Sequence, residues 1–159
     1  MQPQDIVFDV GDGHFNFRVA GYMEFNNKIL LHMQPQTDFW NFPGGRVQIK
    51  EDSLTSLKRE FMEELGYEVK NAHLMEVCEN FFDFDNKHYH ELLFLYKVEV
   101  SADDEIVLKQ NFDSLDKEGV IYRWIDKAEI PNVKCLPILI YDVAKRQDHS
   151  FQHSMDINN

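Results

Sequence analysis

The stretch REFMEELG, residues 59–66, places three glutamates within one predicted helix. Residues three and four positions apart are neighbours on a helix surface, so Glu60, Glu63 and Glu64 share a narrow arc and repel one another. Each such like-charge pair costs roughly 0.2–0.5 kcal/mol in an isolated helix. Arg59 alone cannot neutralise three negative charges. The arc therefore either tolerates a small penalty or holds a cation, and a local rule broken in this way marks a candidate functional site.

The helix that carries the glutamates is predicted from the apolar residues around them. Four of these recur at spacings of three and four positions: Leu54, Leu57, Phe61 and Leu65. This period gives the helix one apolar stripe that can pack against a sheet. Asp52 or Ser53 can cap its start, and Gly66 can adopt the left-handed conformation just past its end.

Predicted strand pairs flank this helix in sequence on both sides. Before it, alternating apolar residues predict strands over 14–25 and 28–34, joined in a hairpin by the turn-forming Asn-Asn pair at 26–27. After it, residues 68–82 and 88–100 predict two further strands around the turn signal DFDNK. The helix therefore connects two β-rich segments.

The C-terminal third of the chain is less regular in pattern. The polar segment 101–119 is expected to be a loop, residues 120–125 form another strand, and helical spacing follows Pro131. A single domain over 1–148 and a frayed polar tail over 149–159 complete the prediction. Strands interleaved with two helices indicate an α/β fold in which a mixed β-sheet lies between helices.

Composition restricts the partners and the compartment. The chain has 28 acidic and 16 basic residues, and its net charge of -12 disfavours binding to nucleic-acid polymers and anionic membranes. A small phosphorylated ligand is still compatible, because bound divalent cations can invert the sign of a local site. The N-terminus lacks a secretory-signal pattern, and no apolar run approaches the roughly 20 residues that span a bilayer. Cys78 and Cys135 are too few for a disulfide framework, so we expect a cytoplasmic protein. Edge strands could pair between two chains, but nothing in the composition requires it, so the protein is expected to be a monomer or a homodimer.

A longer motif surrounds the glutamates: GRVQIKEDSLTSLKREFMEELGY, from Gly45 to Tyr67. It contains a Gly, a Glu after five residues, and, after seven more, Arg-Glu-apolar-x-Glu-Glu-x-Gly-apolar. This pattern resembles the signature of the Nudix hydrolase family at every position, with Tyr67 where the family usually has an aliphatic residue. The preceding FPGG at 42–45 extends the resemblance. The family resemblance implies a Nudix-type α/β/α sandwich that hydrolyses a phosphoanhydride.

The residue types of the motif suit a divalent cation. Mg²⁺ prefers oxygen ligands and usually binds through one or two carboxylates plus substrate phosphates and water, and Mn²⁺ can replace it. By resemblance to the family, Glu63 and Glu64 are the principal metal ligands, together with the carbonyl of Gly45. Glu60 is implied to be a metal ligand or a proton acceptor. A solvated acidic helix face without metal is the alternative for three glutamates alone, but the complete motif favours the metal site.

Further residues are implied or suggested to complete the site. The resemblance implies that Arg59 and Glu51 orient the other carboxylates. Family members often take an additional ligand or base from a later loop, and KEG at 117–119 resembles the MutT-type arrangement, which makes Glu118 the first candidate. Glu91 is the second candidate, although a glutamate on a sheet edge or on a solvent-facing strand surface explains it equally well.

Histidines and aromatic residues outside the motif have two interpretations each. His88 and His90 share one face of a strand and could bind a transition metal. No third ligand has matching spacing, so exposed histidines on a strand are the alternative. Four aromatic residues could stack on a nucleobase or pack in the core: Trp40, Phe82, Phe84 and Tyr89. Arg18 could reach a phosphate or be a surface charge.

The substrate class is predicted by elimination within the family. The segment 78–86 lacks the proline that accompanies ADP-ribose hydrolases, and the run LLHMQPQTDFWNFPGG at 30–45 lacks the arginine that the coenzyme A pattern requires upstream of the motif. Phenylalanines stand where a tyrosine would indicate diadenosine polyphosphates. A MutT-like nucleoside triphosphate, or another nucleoside diphosphate linked to a group X, remains. The alternative is a Nudix-fold domain that binds or senses a nucleotide without catalysis, but the complete motif favours the enzyme.

Overall fold

Two β-sheets with helices packed against them make up residues 4–158, the part of the chain that the computed structural model describes. The larger sheet contains β1 (Val7–Val10), β2 (Gly13–Tyr22), β5 (Gly44–Arg46), β6 (Ala72–Phe84), β7 (Lys87–Val98) and β10 (Gln152–Asn158). The smaller sheet contains β3 (Glu24–Phe25), β4 (Lys28–Met33), β8 (Asn111–Asp113) and β9 (Ile121–Asp126). The α-helices are α1 (Ser53–Leu65) and α2 (Leu139–Lys145), and short 3-10 helices lie at Glu105–Leu108 and Ile130–Asn132.

The larger sheet is mixed. Its order is β1-β2-β7-β6-β10, with β5 paired to β2 outside this path. Strand β2 is parallel to β7 and β6 is parallel to β10, whereas the other pairs of this sheet are antiparallel. Because β2 and β7 run in the same direction, the chain between them must cross the sheet, and α1 lies in that connection. The smaller sheet, in the order β3-β4-β9-β8, is antiparallel throughout.

The two helices pack on opposite sides of β2. Val19 belongs to the apolar cluster that includes Phe61 of α1, and the next residue, Ala20, belongs to the cluster that includes Val143 of α2. Successive residues of a strand point to opposite faces of a sheet, so the helices cover opposite faces. The predicted α/β/α arrangement is therefore confirmed. Both cysteines are unbonded and buried.

Helix α1 has the predicted limits. Its N-cap is Asp52, whose carboxylate accepts a hydrogen bond from the Thr55 N–H at 2.9 Å. At the other end Gly66 is left-handed, with φ of 64°, and its N–H donates to the Met62 carbonyl. A glycine fits there because it has no Cβ to oppose that conformation. None of the helices within residues 4–158 has the length and apolar character needed to cross a membrane.

The predicted first hairpin is correct in its turn and wrong in its strands. Asn26 and Asn27 have φ of 49° and 63°, as a tight two-residue turn requires. The hairpin joins β3 to β4, however, and the predicted strand 14–25 is interrupted at the buried Met23. The chain there leaves the larger sheet and enters the smaller one, so one stretch of alternating residues serves two sheets. The second predicted hairpin, β6 with β7, is confirmed.

The segment 101–119 is more structured than the predicted loop. It contains the 3-10 helix Glu105–Leu108, whose Ile106 is buried, and strand β8. Its charged composition hid these elements, because only a few of its side chains reach the core. The main chain also contacts α1, since the Leu115 N–H donates to the Glu64 carbonyl at 2.9 Å.

The prediction of a frayed tail over 149–159 is wrong for most of that segment. Residues Gln152–Asn158 form β10, which extends the larger sheet beside β6. Buried Asp156 accepts a hydrogen bond from the Leu139 N–H at the start of α2, at 3.2 Å. The polar side chain therefore faces inward and Met155 and Ile157 face solvent, the reverse of the usual strand pattern. Strand β1 was also not predicted, and residues 1–3 and 159 lie outside the described residues.

Candidate active site

Helix α1 presents its three glutamates to different surroundings. Glu60 and Glu64 are buried, with 7% and 2% of their surfaces exposed. They are four residues apart and therefore lie one above the other on the same face of the helix. The Glu63 side chain is 48% exposed. The predicted arc is thus divided into two interior carboxylates and one at the surface.

Arg59 contacts three glutamates of the motif. Its Nε donates to Glu51 Oε2 at 3.0 Å, and its Nη1 donates to Glu60 Oε1 at 2.9 Å and to Glu63 Oε2 at 3.4 Å. A further bond from Nη2 reaches the Arg46 carbonyl at 3.2 Å. The hydrogen bond from Arg59 holds the pKa of Glu51 below its usual range. Arg59 thus joins Glu51, Glu60 and Glu63 in one hydrogen-bond network, and its orienting role stays a prediction.

Glu64 has two partners that the sequence does not reveal. Lys117 Nζ lies 2.6 Å from Glu64 Oε1, and the Tyr122 hydroxyl donates to Oε2 at 2.9 Å. Burial and the charge of Glu64 raise the pKa of Tyr122, so the hydroxyl keeps its proton and remains a donor. Tyr122 is 58 residues from Glu64 in sequence, and only the paired strands β4 and β9 bring it to the helix.

Glu60 lies directly against strand β5. A Cβ atom at Gly45 would collide with the Glu60 carboxyl group, so any other residue at this position requires that carboxyl group to shift. Burial raises the pKa of Glu60, and the negative charge of Glu64 raises it further, while Lys117 and Arg59 act in the opposite direction. A carboxyl group with a raised pKa is suited to accept a proton near neutral pH.

Glu91, the second candidate for an additional carboxylate, is buried with 8% of its surface exposed. The alternative of a solvent-facing glutamate is therefore wrong. Its Oε2 accepts a hydrogen bond from the Asn16 amide at 3.1 Å, and its Oε1 accepts one from the Asn80 amide at 3.2 Å. Two neutral donors from neighbouring strands hold this carboxylate in place.

Glu118, the first candidate, is exposed in the loop between β8 and β9. Its side chain makes no hydrogen bond or ion pair with residues 4–158, and the adjacent Lys117 contacts the helix instead. The structure does not bring Glu118 to the carboxylates of α1. Its assignment as an additional metal ligand or base stays a prediction.

The oxygen atoms around Glu60 suit a hard divalent cation. The carboxylates of Glu60 and Glu64 lie inside the site, the Gly45 main chain adjoins them with no side chain between, and Glu63 lies at its margin. No three acidic, histidine or cysteine side chains among the described residues already converge as a metal-ligand set. The residues therefore fit a metal by donor type, while Arg59 and Lys117 now hold the carboxylates.

Two adjoining cavities open beside these carboxylates. The first, termed the carboxylate cavity, has a volume of about 260 Å³, and the residues lining it include Arg18, Gly45, Glu60 and Lys117. The second, termed the aromatic cavity, has a volume of about 370 Å³, and its lining includes His32, Phe39, Asn41, Asn80, Phe82 and Phe84. Four residues line both: Gln34, Arg46, Tyr89 and Glu91. The two cavities therefore adjoin along these four side chains, and together they are termed the groove.

Three of the four aromatic residues considered for base stacking line this groove. Phe82 and Tyr89 stack with ring centroids 4.8 Å apart, and Phe84 lies beside them in an edge-to-face arrangement with Tyr89. Trp40 is instead buried in the core, with the Arg123 guanidinium over its ring. Phe82, Phe84 and Tyr89 are therefore placed to contact a ligand.

The histidine that lines the groove is His32, which no pattern in the sequence singles out. His32 is buried in the wall of the aromatic cavity, and neither ring nitrogen has a hydrogen-bond partner within residues 4–158. Burial lowers its pKa well below the usual value, and the nearby positive charges add to this effect. His88 lies outside both cavities, bonded to Asp83 at 2.6 Å, and His90 packs against Phe81.

The chain is similar in sequence to a known protein family and to individual members of it. The NUDIX domain model matches residues 15–146. The chain is 32% identical over 111 residues to an 8-oxo-dGTP diphosphatase of Buchnera aphidicola subsp. Schizaphis graminum, which covers 67% of this chain and 74% of that protein. It is 43% identical over 54 residues to the CTP pyrophosphohydrolase of Escherichia coli K12, covering 31% of this chain and 40% of that protein.

Solved structures share the fold. The MutT protein from Bacillus halodurans superposes with a TM-score of 0.66 at 21% identity, over 87% of this chain and 88% of that one. A UDP-X diphosphatase superposes with a TM-score of 0.55 at 15% identity, over 87% and 66% of the two chains. Because the domain match includes the carboxylate helix α1 and extends through α2, the chain belongs to the Nudix family and is a Nudix hydrolase.

Proposed function

We propose that this Nudix hydrolase cleaves the phosphoanhydride bond of a nucleoside diphosphate linked to another group X, with nucleoside triphosphates as the leading class. The observation that carries the proposal is that the two cavities of the groove lie side by side, with Arg46, Tyr89 and Glu91 lining both. One end offers carboxylates and cationic side chains, and the other offers aromatic rings and amides. A nucleotide has the same division, with charged phosphates at one end and a flat base at the other.

Cationic side chains support phosphate binding at the carboxylate end. Arg18, Arg46 and Lys117 all line the carboxylate cavity, in a chain whose net charge is -12. Arg18 Nη2 donates to the Phe42 carbonyl at 2.8 Å, but its buried Nε has no partner within residues 4–158. A buried donor without a partner is costly, and a phosphate oxygen would supply the missing acceptor.

Base binding is assigned to the aromatic end. The Phe82 and Tyr89 rings stack on each other, so a base can stack on an outer face of this pair, and base–aromatic stacking contributes about 1–3 kcal/mol per base. The neutral His32 ring has one donor and one acceptor nitrogen, both without protein partners among the described residues. The two nitrogens point in divergent directions, so a base edge can form a hydrogen bond with one of them.

Nudix hydrolases generally use divalent metal ions, and we assign Mg²⁺ to this chain, with Mn²⁺ as a substitute. When bound, the ion neutralises phosphate charge and lowers the pKa of a coordinated water. The proposed donors are Glu63, Glu64 and the carbonyl of Gly45. Glu60 either joins these ligands or accepts the proton of the attacking water, and its raised pKa favours the second role. Arg59 keeps the Glu60 carboxylate oriented.

The relatives help to rank the candidate substrates. One is named for 8-oxo-dGTP and another for CTP, and the fold is shared with a UDP-X diphosphatase. Two of these three names specify a nucleoside triphosphate. Triphosphates, including oxidised guanine nucleotides, therefore come first for this chain, and nucleotide sugars come second.

The test is product release from a panel of nucleoside triphosphates, nucleotide sugars, ADP-ribose and dinucleoside polyphosphates, with Mg²⁺ or Mn²⁺. Glu63→Gln is measured in parallel, because it removes one proposed ligand from a half-exposed position where folding should be preserved. Glu68→Gln is the matched control, since Glu68 is exposed just past the end of α1. We expect one substrate class to be hydrolysed by the parent and by Glu68→Gln, and at least about 100-fold more slowly by Glu63→Gln.

Two outcomes would contradict the proposal. Full activity of Glu63→Gln would remove this residue from the metal site. Nucleotide binding by folded protein without turnover of any panel member, with either metal, would contradict the proposed substrate class.

A further inference from the structure

In the ion pair between Lys117 and Glu64, the carboxylate is buried and the lysine side chain is half exposed. Glu64 is 2% exposed, whereas the Lys117 side chain is 46% exposed, and their charged atoms are 2.6 Å apart. A buried carboxylate without a cation is strongly destabilising, because desolvation of the charge is not compensated. The Tyr122 hydroxyl gives Glu64 a hydrogen bond but no charge. Lys117 is therefore the cation that balances Glu64 in the metal-free protein.

The same position is unfavourable for a lysine once a divalent ion is bound. Glu64 is a proposed metal ligand, and an ammonium 2.6 Å from its carboxylate would lie within a few ångströms of the metal charge. Like charges at such a distance repel strongly in a buried site, and a bound divalent ion is the largest local charge. The ion and the Lys117 ammonium therefore compete for one carboxylate.

Hydrogen bonds fix the main chain of the loop that carries Lys117, whereas the Lys117 side chain is half exposed. The Ser114 hydroxyl accepts hydrogen bonds from the N–H groups of Asp116 and Lys117, at 3.3 and 3.1 Å. The Leu115 N–H donates to the Glu64 carbonyl at 2.9 Å, so the loop is fixed to the end of α1. Lys117 also lines the carboxylate cavity, where its released ammonium would meet the phosphates of a substrate.

We infer that Lys117 is an internal counterion that holds Glu64 in the metal-free enzyme and is displaced when the divalent ion binds. The inference rests on the proposed function, because it takes Glu64 as a metal ligand. Lys117 acts through Glu64 and is a positioning residue. When the metal ion binds, the displaced Lys117 ammonium places its positive charge in the carboxylate end of the groove, where the substrate phosphates are proposed to bind.

The test compares Lys117→Met with the parent by calorimetric titration of Mn²⁺ without nucleotide, and by thermal unfolding of the metal-free proteins. Lys58→Met is the matched control, since Lys58 is exposed on α1, makes no ion pair within residues 4–158 and has the same charge. Lys117→Arg restores the charge. We expect Lys117→Met to bind Mn²⁺ about five- to tenfold more tightly, which is the scale of a lost ion pair with one exposed partner. Its metal-free unfolding midpoint should fall by about 2–4 °C.

Lys58→Met should change the Mn²⁺ affinity less than twofold, and Lys117→Arg should stay close to the parent. A purely structural role for Lys117 predicts weaker Mn²⁺ binding by Lys117→Met, and that result, or an unchanged affinity, would overturn the inference while leaving the proposed function intact. Absence of Mn²⁺ binding by the parent protein would overturn the inference together with the metal dependence of the proposed function.

Discussion

The two ends of the groove are assembled in different ways. At the carboxylate end, Gly45 and Glu60 come from one continuous segment, and Arg59 of the same segment donates hydrogen bonds to Glu60 and to the carbonyl of Arg46. The aromatic end collects side chains from distant parts of the chain: the β4–β5 connection, the β6–β7 hairpin and the residues just before α2. The residues proposed for chemistry are thus contiguous in sequence, whereas those proposed for recognition are dispersed.

This difference predicts separable effects of substitution. A change at the carboxylate end should act mainly on kcat, because it alters groups that stabilise the transition state. A change at the aromatic end should act mainly on KM and on the choice of nucleotide. The following experiments test that separation.

The largest effect is expected for Glu64→Gln, which keeps the shape of the side chain and removes its charge. We expect kcat to fall at least about 100-fold with a KM change below threefold, because a metal ligand and the partner of Lys117 are lost. Steady-state kinetics with the best substrate measures this, with Glu68→Gln as the control. A loss confined to KM would place Glu64 in recognition instead of chemistry.

The second prediction concerns the close packing of Gly45 against Glu60. Gly45→Ala adds a Cβ that collides with the Glu60 carboxyl, so the free energy of unfolding should fall by roughly 1–3 kcal/mol in urea denaturation. The double variant with Glu60→Ala should recover part of this loss, because the colliding atoms are gone. Additive losses in the double variant would show that the strain lies elsewhere.

At the aromatic end, Phe82→Leu should raise KM about tenfold and change kcat less than threefold, because a stacking surface is lost while apolar volume is largely kept. Substrate-saturation curves measure both parameters. Phe8→Leu is the control, since Phe8 is an exposed aromatic residue of the same sheet outside both cavities. A fall in kcat without a change in KM would contradict the assignment of this end to recognition.

The smallest effect concerns charge at the aromatic end, where His32 has to stay neutral. Its pKa is lowered by burial, so the unfolded chain binds a proton below about pH 6.5 that the folded protein does not. His32 therefore does not lower the free energy of unfolding above this pH, and it lowers it progressively as the pH falls below this value. Relative to His32→Leu, the parent should lose up to about 1.4 kcal/mol of unfolding free energy for each pH unit between 6.5 and 5. Parallel pH curves for the two proteins would show that His32 protonates in the folded state.

The sequence predicts the carboxylate helix well because its signals are local. The period of the apolar residues, the cap at Asp52 and the left-handed Gly66 are each contained within a few positions. The same is true of the turn at Asn26 and Asn27. The structure brings Arg59 against Glu51, Glu60 and Glu63 because all four lie on or next to this one helix.

Features that depend on distant pairing were not predictable in the same way. Lys117 and Tyr122 reach Glu64 only through the smaller sheet, and His32 gives no sign in the sequence that it lies in a cavity wall. Strand β10 has only a weak signal, because Met155 and Ile157 are the only apolar residues of Gln152–Asn158. Its buried side chain is instead the polar Asp156, which accepts a hydrogen bond from the start of α2, while Met155 faces solvent.

The parallel pairing of β2 with β7 has a consequence for how the chain folds. Partners such as Asn16 and Glu91 are 75 residues apart, so the larger sheet cannot close until most of the chain has been brought together. Contacts of this kind slow folding, because the entropy of a long loop is lost before the strands are stabilised. The β6–β7 hairpin, with its short turn, is the part able to form early. The groove, whose walls come from both sheets, is accordingly a late product of folding.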